Sequence, residues 1–269
     1  MLPREHGAYG QLLLPLATAL AISDVHVSAI LTATAALAAF VAHEPLVVLL
    51  GGRGARARRE QQRRAITWLA VSGGIATVAG LAAIALAPAH VRWLFAWPLL
   101  PAAVLAGLLL TRREKSTLGE IASAISFASV AIPICAVAAP SPLRGFTVAF
   151  TFASLFIVST LGVRVVVLGS RGGGDPHAVR VTRLQLAAVL VLIGIGIPLA
   201  ALSEVRTGVA TLAVLPGVAV ATALAFRPPP ARRLRTVGWT LLSTTVFLAV
   251  AIVAVFGAST SDQLRILSR

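Results

Sequence analysis

Pro3-Arg4-Glu5-His6-Gly7-Ala8-Tyr9-Gly10 runs directly into the apolar stretch Gln11-Leu12-Leu13-Leu14-Pro15-Leu16-Ala17-Thr18-Ala19-Leu20-Ala21-Ile22. A helix that only anchors a chain needs no such packet of charge and imidazole at its mouth. Where an apolar run enters a bilayer, ionisable groups at that depth are costly unless they face protein or a water-filled cavity. Glu5 and His6 therefore predict that the first span is one wall of a polar cavity, with the other walls supplied by later spans.

Composition sets the class. Of 269 residues, 58% are hydrophobic and 12% charged, against roughly 25% charged in soluble domains, and the mean hydropathy is +0.91. This is the composition of an integral membrane protein. No clear cleavage site follows the first apolar run, which is read as a retained span and not a removed signal. The only cysteine, Cys135, lies within an apolar run, which excludes an internal disulfide and the usual cysteine-based metal sites. No His-x-x-x-His or comparable spacing points to a metal. The net charge of +14 comes from basic residues in short loops, without a basic domain or interleaved aromatics. It predicts membrane topology and a lipid bilayer partner, not nucleic acid.

About 20 apolar residues span a bilayer, and nine windows qualify. They are Gly7 to Ile22, Val27 to Leu50, Ala65 to Ala87, Val91 to Thr111, Leu118 to Ala139, Gly145 to Leu168, Val181 to Leu202, Thr207 to Phe226 and Thr236 to Gly257. The second is expected to break at His43-Glu44-Pro45, because proline removes a backbone donor and disfavours helix at the residue before it. Arg92, Arg144, Arg206, Arg265 and Arg269 fall on one side of the spans, and the other 18 of the 23 basic residues fall on the opposite side. Positive charge marks the cytoplasmic face, so the N-terminus is predicted inside and the C-terminus outside. The whole chain, 1–269, reads as a single all-α polytopic membrane domain. Its inner loops are long, as in Gly51 to Arg64 and in Gly169 to Arg180 with its Gly172-Gly173-Gly174 run.

The ionisable residues gather at the inner ends of the spans. Glu5-His6 and His43-Glu44 each set a group that titrates near neutrality beside a carboxylate that can orient it; snorkelling and helix capping are the plainer roles for the same pairs. Thr111-Arg112-Arg113-Glu114-Lys115-Ser116-Thr117-Leu118-Gly119-Glu120 is the richest loop. It leads into Thr117, Glu120, Ser123, Ser126 and Ser129, a strip recurring every third residue. Beyond Ser123 such small polar residues suit close helix packing, whereas Glu120 suits either the helix dipole or a cavity. Arg164 lies one turn beyond Thr160, between valines, at the edge of the sixth span. Thr236, Thr240, Ser243 and Phe247 share a face of the last span beside Trp239, as expected for packing and interface anchoring.

Arginine forks match phosphate or carboxylate in bidentate fashion. The predicted site is a cytoplasm-facing cavity lined by Glu5, His6, His43, Glu44, Arg113, Lys115, Glu120 and Arg164. It would bind an amphipathic anion such as an isoprenoid or lipid phosphate. In an enzyme, Arg113, Lys115 and Arg164 would hold the anion and His6 or Glu120 would transfer a proton. The rival classes are a transporter of a small anion, with interruptions expected at Ile193 to Pro198 and Pro216-Gly217, and an assembly protein without a ligand.

Pro3-Arg4-Glu5-His6-Gly7-Ala8, His43-Glu44-Pro45, Glu114-Lys115-Ser116-Thr117-Leu118-Gly119-Glu120 and Val237-Gly238-Trp239 together resemble the YwiC-like family of bacterial membrane proteins, over nearly the whole chain. That resemblance implies a multi-pass protein of the bacterial cytoplasmic membrane and no particular reaction. More distantly, Lys115 to Pro133 is similar to an element of the UbiA-type intramembrane prenyltransferases, which implies a UbiA-like arrangement of nine helices. That family holds magnesium and a prenyl diphosphate through two aspartate-rich motifs. Here His43-Glu44-Pro45 and a run of arginines stand at the first place, and Arg164, Arg171 and Asp175 at the second. Magnesium-assisted ionisation is therefore not implied; either histidine, glutamate and arginine would bind the diphosphate directly, or the fold would be retained for another task.

Overall fold

A computed structural model of the chain describes residues 6–139, 141–170, 175–230 and 233–267. Every regular element among them is helical. Eight helical spans among the described residues are long and apolar enough to cross a membrane, so the chain is a multi-pass, all-α membrane protein. The helices fall into two compact units, Met1–Gly145 and Phe146–Arg269.

In the first unit, α1 (His6–Ala21) is short: its 16 residues reach about 24 Å at 1.5 Å per residue, less than the ~30 Å hydrocarbon core. Helices α2 (Val27–Leu49) and α3 (Ala55–Leu86) form a long hairpin. A 3₁₀ segment, Ala89–Phe95, runs into α4 (Ala96–Leu110), and the fifth span is divided into α5 (Thr117–Ser129) and α6 (Ala131–Ala138). Small residues set the packing distance. Gly80 of α3 lies against the Ala35 methyl, and the Ser28 hydroxyl donates to the Ala83 carbonyl at 2.7 Å, which satisfies it without water. The α5–α6 span carries the unit's buried core, including Ala124, Ala128, Ile134 and Cys135. At the end opposite the arginine loops, the Asp24 N–H donates to the Ala138 carbonyl at 2.7 Å and the Ser23 hydroxyl faces the Cys135 sulfur at 3.6 Å.

The second unit is built on α7 (Leu143–Ser170), whose first residues close the unit before it, and on α8 (Pro176–Ser203), α9 (Val205–Leu212), α10 (Leu215–Phe226) and α11 (Leu234–Leu267). Phe152, Leu155, Val158 and Leu161 of α7 are fully buried. Glycine makes room for them: a Cβ on Gly217 would stand 2.5 Å from a Leu155 methyl, and one on Gly162 would stand 2.6 Å from the Ala221 carbonyl.

Several boundaries differ from those expected. Helix α2 runs unbroken through Pro45, and α8 runs through Pro198. Away from water a helix keeps its remaining internal hydrogen bonds, because nothing else satisfies those groups. The eighth span is interrupted, at Ala213–Val214, with Pro216 in the first turn of α10. Helix α3 begins at Ala55, well before the apolar window, because Ala, Arg, Glu and Gln are strong helix formers and hydropathy does not end a helix. The Thr236, Thr240, Ser243 and Phe247 face of α11 is exposed while Val237, Leu248 and Ile252 are buried. That face therefore serves the lipid interface and not packing. Glu5, Arg171 and Gly172 to Gly174 lie outside the described residues.

Candidate functional site

Helix α2 ends in a glycine-dependent turn. The N–H groups of Leu50, Gly51 and Gly52 donate to the carbonyls of Leu46, Val48 and Val47. Gly51 and Gly54 take φ of +79° and +93°, a region open to glycine at no steric cost. The turn swings Arg53 back onto α2, where its Nη2 meets Glu44 Oε2 at 2.7 Å and its Nε meets Oε1 at 3.0 Å. The Glu44 side chain is 7% exposed. A carboxylate that deep needs a partner, and the arginine fork supplies both hydrogen bonds. Both Glu44 oxygens are thus engaged within the protein. Arg53 was missed in the sequence; the only signal for it was an arginine nine residues after a glutamate across a Gly-Gly-x-Gly turn.

The loop between α4 and α5 lies alongside. Arg112, the one non-glycine residue at positive φ among those described, takes φ 58°. Its Nη2 stands 3.6 Å from where a Gly51 Cβ would be, and Glu114 Oε1 stands 3.8 Å from the equivalent point on Gly52. Ser116 caps α5 by accepting from the Gly119 N–H at 3.3 Å, and its own N–H donates to the Arg113 carbonyl at 3.0 Å. Gly119 is required because a Cβ there would collide with the Glu114 carbonyl. The result is a short, tightly determined loop that leaves Arg113 and Lys115 exposed, with no side-chain partner among the described residues.

An aromatic cluster joins the helices behind these loops. Tyr9 of α1 meets Phe40 of α2 edge-on at 5.1 Å, and Phe40 meets Phe127 of α5 at 5.7 Å. His43 and Glu44 follow Phe40 by three and four positions, and Glu120 precedes Phe127 by seven. Helical periodicity keeps these on the faces that carry the rings, on the side nearer the arginine loops. His43 and Glu120 are half-buried, and Glu120 is partnered. His6 opens α1, with its side chain outside the described set. On the polar strip of α5, Ser126 donates across to the Pro98 carbonyl at 3.4 Å, whereas Ser123 and Ser129 bond back to the Gly119 and Ser126 carbonyls within their own helix. Arg164 belongs to α7 of the second unit, half-buried and partnered.

Among the described residues no group of three His, Cys, Asp or Glu side chains is placed to hold a metal ion. The first unit offers two exposed cations, Arg113 and Lys115, on a fixed loop beside the Glu44–Arg53 ion pair.

The family model described as YwiC-like protein matches residues 2–136. The chain belongs to the YwiC-like family. The match covers nearly all of the first unit, from the Glu5-His6 packet through the His43-Glu44-Pro45 segment of α2 and the Arg113 to Glu120 loop. Arg164 and Val237-Gly238-Trp239 fall beyond it. No curated protein matches the chain, and no solved structure does.

Proposed function

We propose that this YwiC-like protein binds an amphipathic anion, an isoprenoid or lipid phosphate, at the arginine-rich end of its first unit. That end faces the cytoplasm, and the helices follow the UbiA-like arrangement implied by resemblance. The observation that carries the reading is the loop Arg113 to Ser116. It is pinned by Gly119 and the Ser116 cap, and it presents Arg113 and Lys115 exposed, while Arg53 pairs with Glu44. Arg113 and Lys115 hold the phosphate, His43 borders it, and the aromatic cluster of Tyr9, Phe40 and Phe127 meets the apolar tail. Glu5 and His6 are kept as candidates from the sequence alone, and His6 or Glu120 moves a proton if a reaction follows. Arg164 is a further anion-holding candidate on the second unit.

The test uses farnesyl phosphate and phosphatidic acid as probes of the purified protein in detergent. Arg113→Ala/Lys115→Ala is expected to weaken binding of at least one probe about tenfold or more, the loss of one charge-assisted contact alone being worth ~1.5–3 kcal/mol. Unchanged affinity for both overturns the reading. A second reading, transport of a small anion, draws on the interruption at Ala213–Val214, since discontinuous helices line many transport sites. Probe accumulation in sealed proteoliposomes would favour it over static binding.

A further inference from the structure

The arginines at the start of α3 form a surface separate from the loop that carries the proposed binding site. Helix α3 has 32 residues, about 48 Å at 1.5 Å per residue, against ~30 Å of hydrocarbon. Its first ten residues, Ala55 to Arg64, therefore continue past the apolar zone as a rigid extension. At 100° per residue, Arg56, Arg59, Arg63 and Arg64 fall within an arc of about 140°. The same arc, to within about 20°, carries Ile66, Val71, Val78 and Leu81, all exposed. The residues that α3 buries, Ala65, Ser72, Ala79 and Ala83, lie on the opposite side. One helix face thus passes from lipid-facing hydrocarbon to exposed arginine.

The electrostatics of this face are unfavourable as they stand. A helix N-terminus carries about half a positive charge, and cations there are destabilising. Here α3 starts with Arg56, Arg58 and Arg59, has no acidic residue in its first turn and no side-chain cap at Gly54. Glu60, the one acid in the extension, pairs with Arg56 at 2.7 Å in an exposed setting, where such a bond adds little. Arg59, Arg63 and Arg64 are exposed with no partner among the described residues.

We infer that the Arg59–Arg63–Arg64 face of α3 is a binding surface for anionic phospholipid headgroups, which supply the negative charge this helix start lacks. The face is collinear with hydrocarbon-facing residues, so a lipid whose chains lie along Ile66 and Val71 sets its phosphate against Arg63 and Arg64. The guanidinium fork then grips two phosphate oxygens.

The test reconstitutes the full chain in phosphatidylcholine vesicles and compares the association of spin-labelled phosphatidylglycerol with that of spin-labelled phosphatidylcholine by electron paramagnetic resonance. The wild type is expected to prefer the anionic lipid about threefold or more, with the preference fading between ~0.1 and 1 M salt as screening sets in. Arg59→Gln/Arg63→Gln/Arg64→Gln should remove most of the preference, leaving only what the Arg113–Lys115 loop contributes, while Arg59→Lys/Arg63→Lys/Arg64→Lys keeps most of it. Equal association in the wild type overturns the inference, as does a glutamine variant that keeps the full preference, or an equal loss in both variants. Farnesyl phosphate binding, read on the same variants, should not change, so this inference and the proposed function fail separately.

Discussion

At the scale of single residues, the Glu44–Arg53 pair shows how a residue singled out from its type can be committed elsewhere. Glu44 stood out because a carboxylate beside histidine at a helix end is chemically suggestive. Its partner could not be read from the sequence, because the reach of Arg53 depends on backbone angles that only Gly51 and Gly54 make easy. The pair sits at 25% and 7% side-chain exposure, deep enough for the asymmetry of buried charges to apply. Arg53→Met leaves a buried carboxylate without a partner and is expected to cost about 3 kcal/mol. Glu44→Gln/Arg53→Met should recover part of that loss, and thermal unfolding in mild detergent measures both; a single variant as stable as wild type would show that the pair holds nothing together. Gly119 makes a companion case. Gly119→Ala drives a methyl into the Glu114 carbonyl and should cost about 2 kcal/mol or more. Gly107→Ala, in open space on α4, should stabilise by about 0.5–1 kcal/mol.

Elements were legible wherever apolar length decided them, and illegible wherever proline did. Nine apolar windows became eight full spans and the short α1. Pro45 and Pro198 did not break their helices, while the span containing Pro216 is divided. The difference is position. Pro216 lies in the first turn of α10, where a missing donor costs nothing. Pro45 lies in the last turns of α2, four residues before Leu49, where the flanking turns and the Glu44 ion pair hold the backbone in line. It follows that Pro45→Ala restores one hydrogen bond without moving the helix. The variant should unfold no earlier than wild type, and amide exchange across Val41 to Leu46 should slow. Faster exchange there would mean that the proline stabilises a bend that α2 needs. The start of α3 was missed for a related reason: a window set by hydropathy sees the end of the bilayer, not the end of the helix.

For the whole molecule, the membrane class was written in composition, whereas the division at Gly145–Phe146 was not. It falls inside the continuous helix α7, without a linker or a change in residue usage, because it arises from which side chains pack together. Topology lies between these cases. The charge asymmetry predicts that the α3 extension holding Gln62 and the start of α8 at His177 face the cytoplasm, with Asp24 and Ser203 outside. The protein carries its own control, since its only cysteine, Cys135, is fully buried in α6 and should resist a membrane-impermeant maleimide. Single substitutions can therefore be made in the natural chain. Asp24→Cys and Ser203→Cys, both at exposed positions, should label in intact cells. Gln62→Cys and His177→Cys, exposed as well, should label only after the membrane is opened. The opposite pattern would turn the Arg113–Lys115 loop and the arginine face of α3 toward the outer medium. In the proposed reading, the phosphate ligand would then have to come from that side.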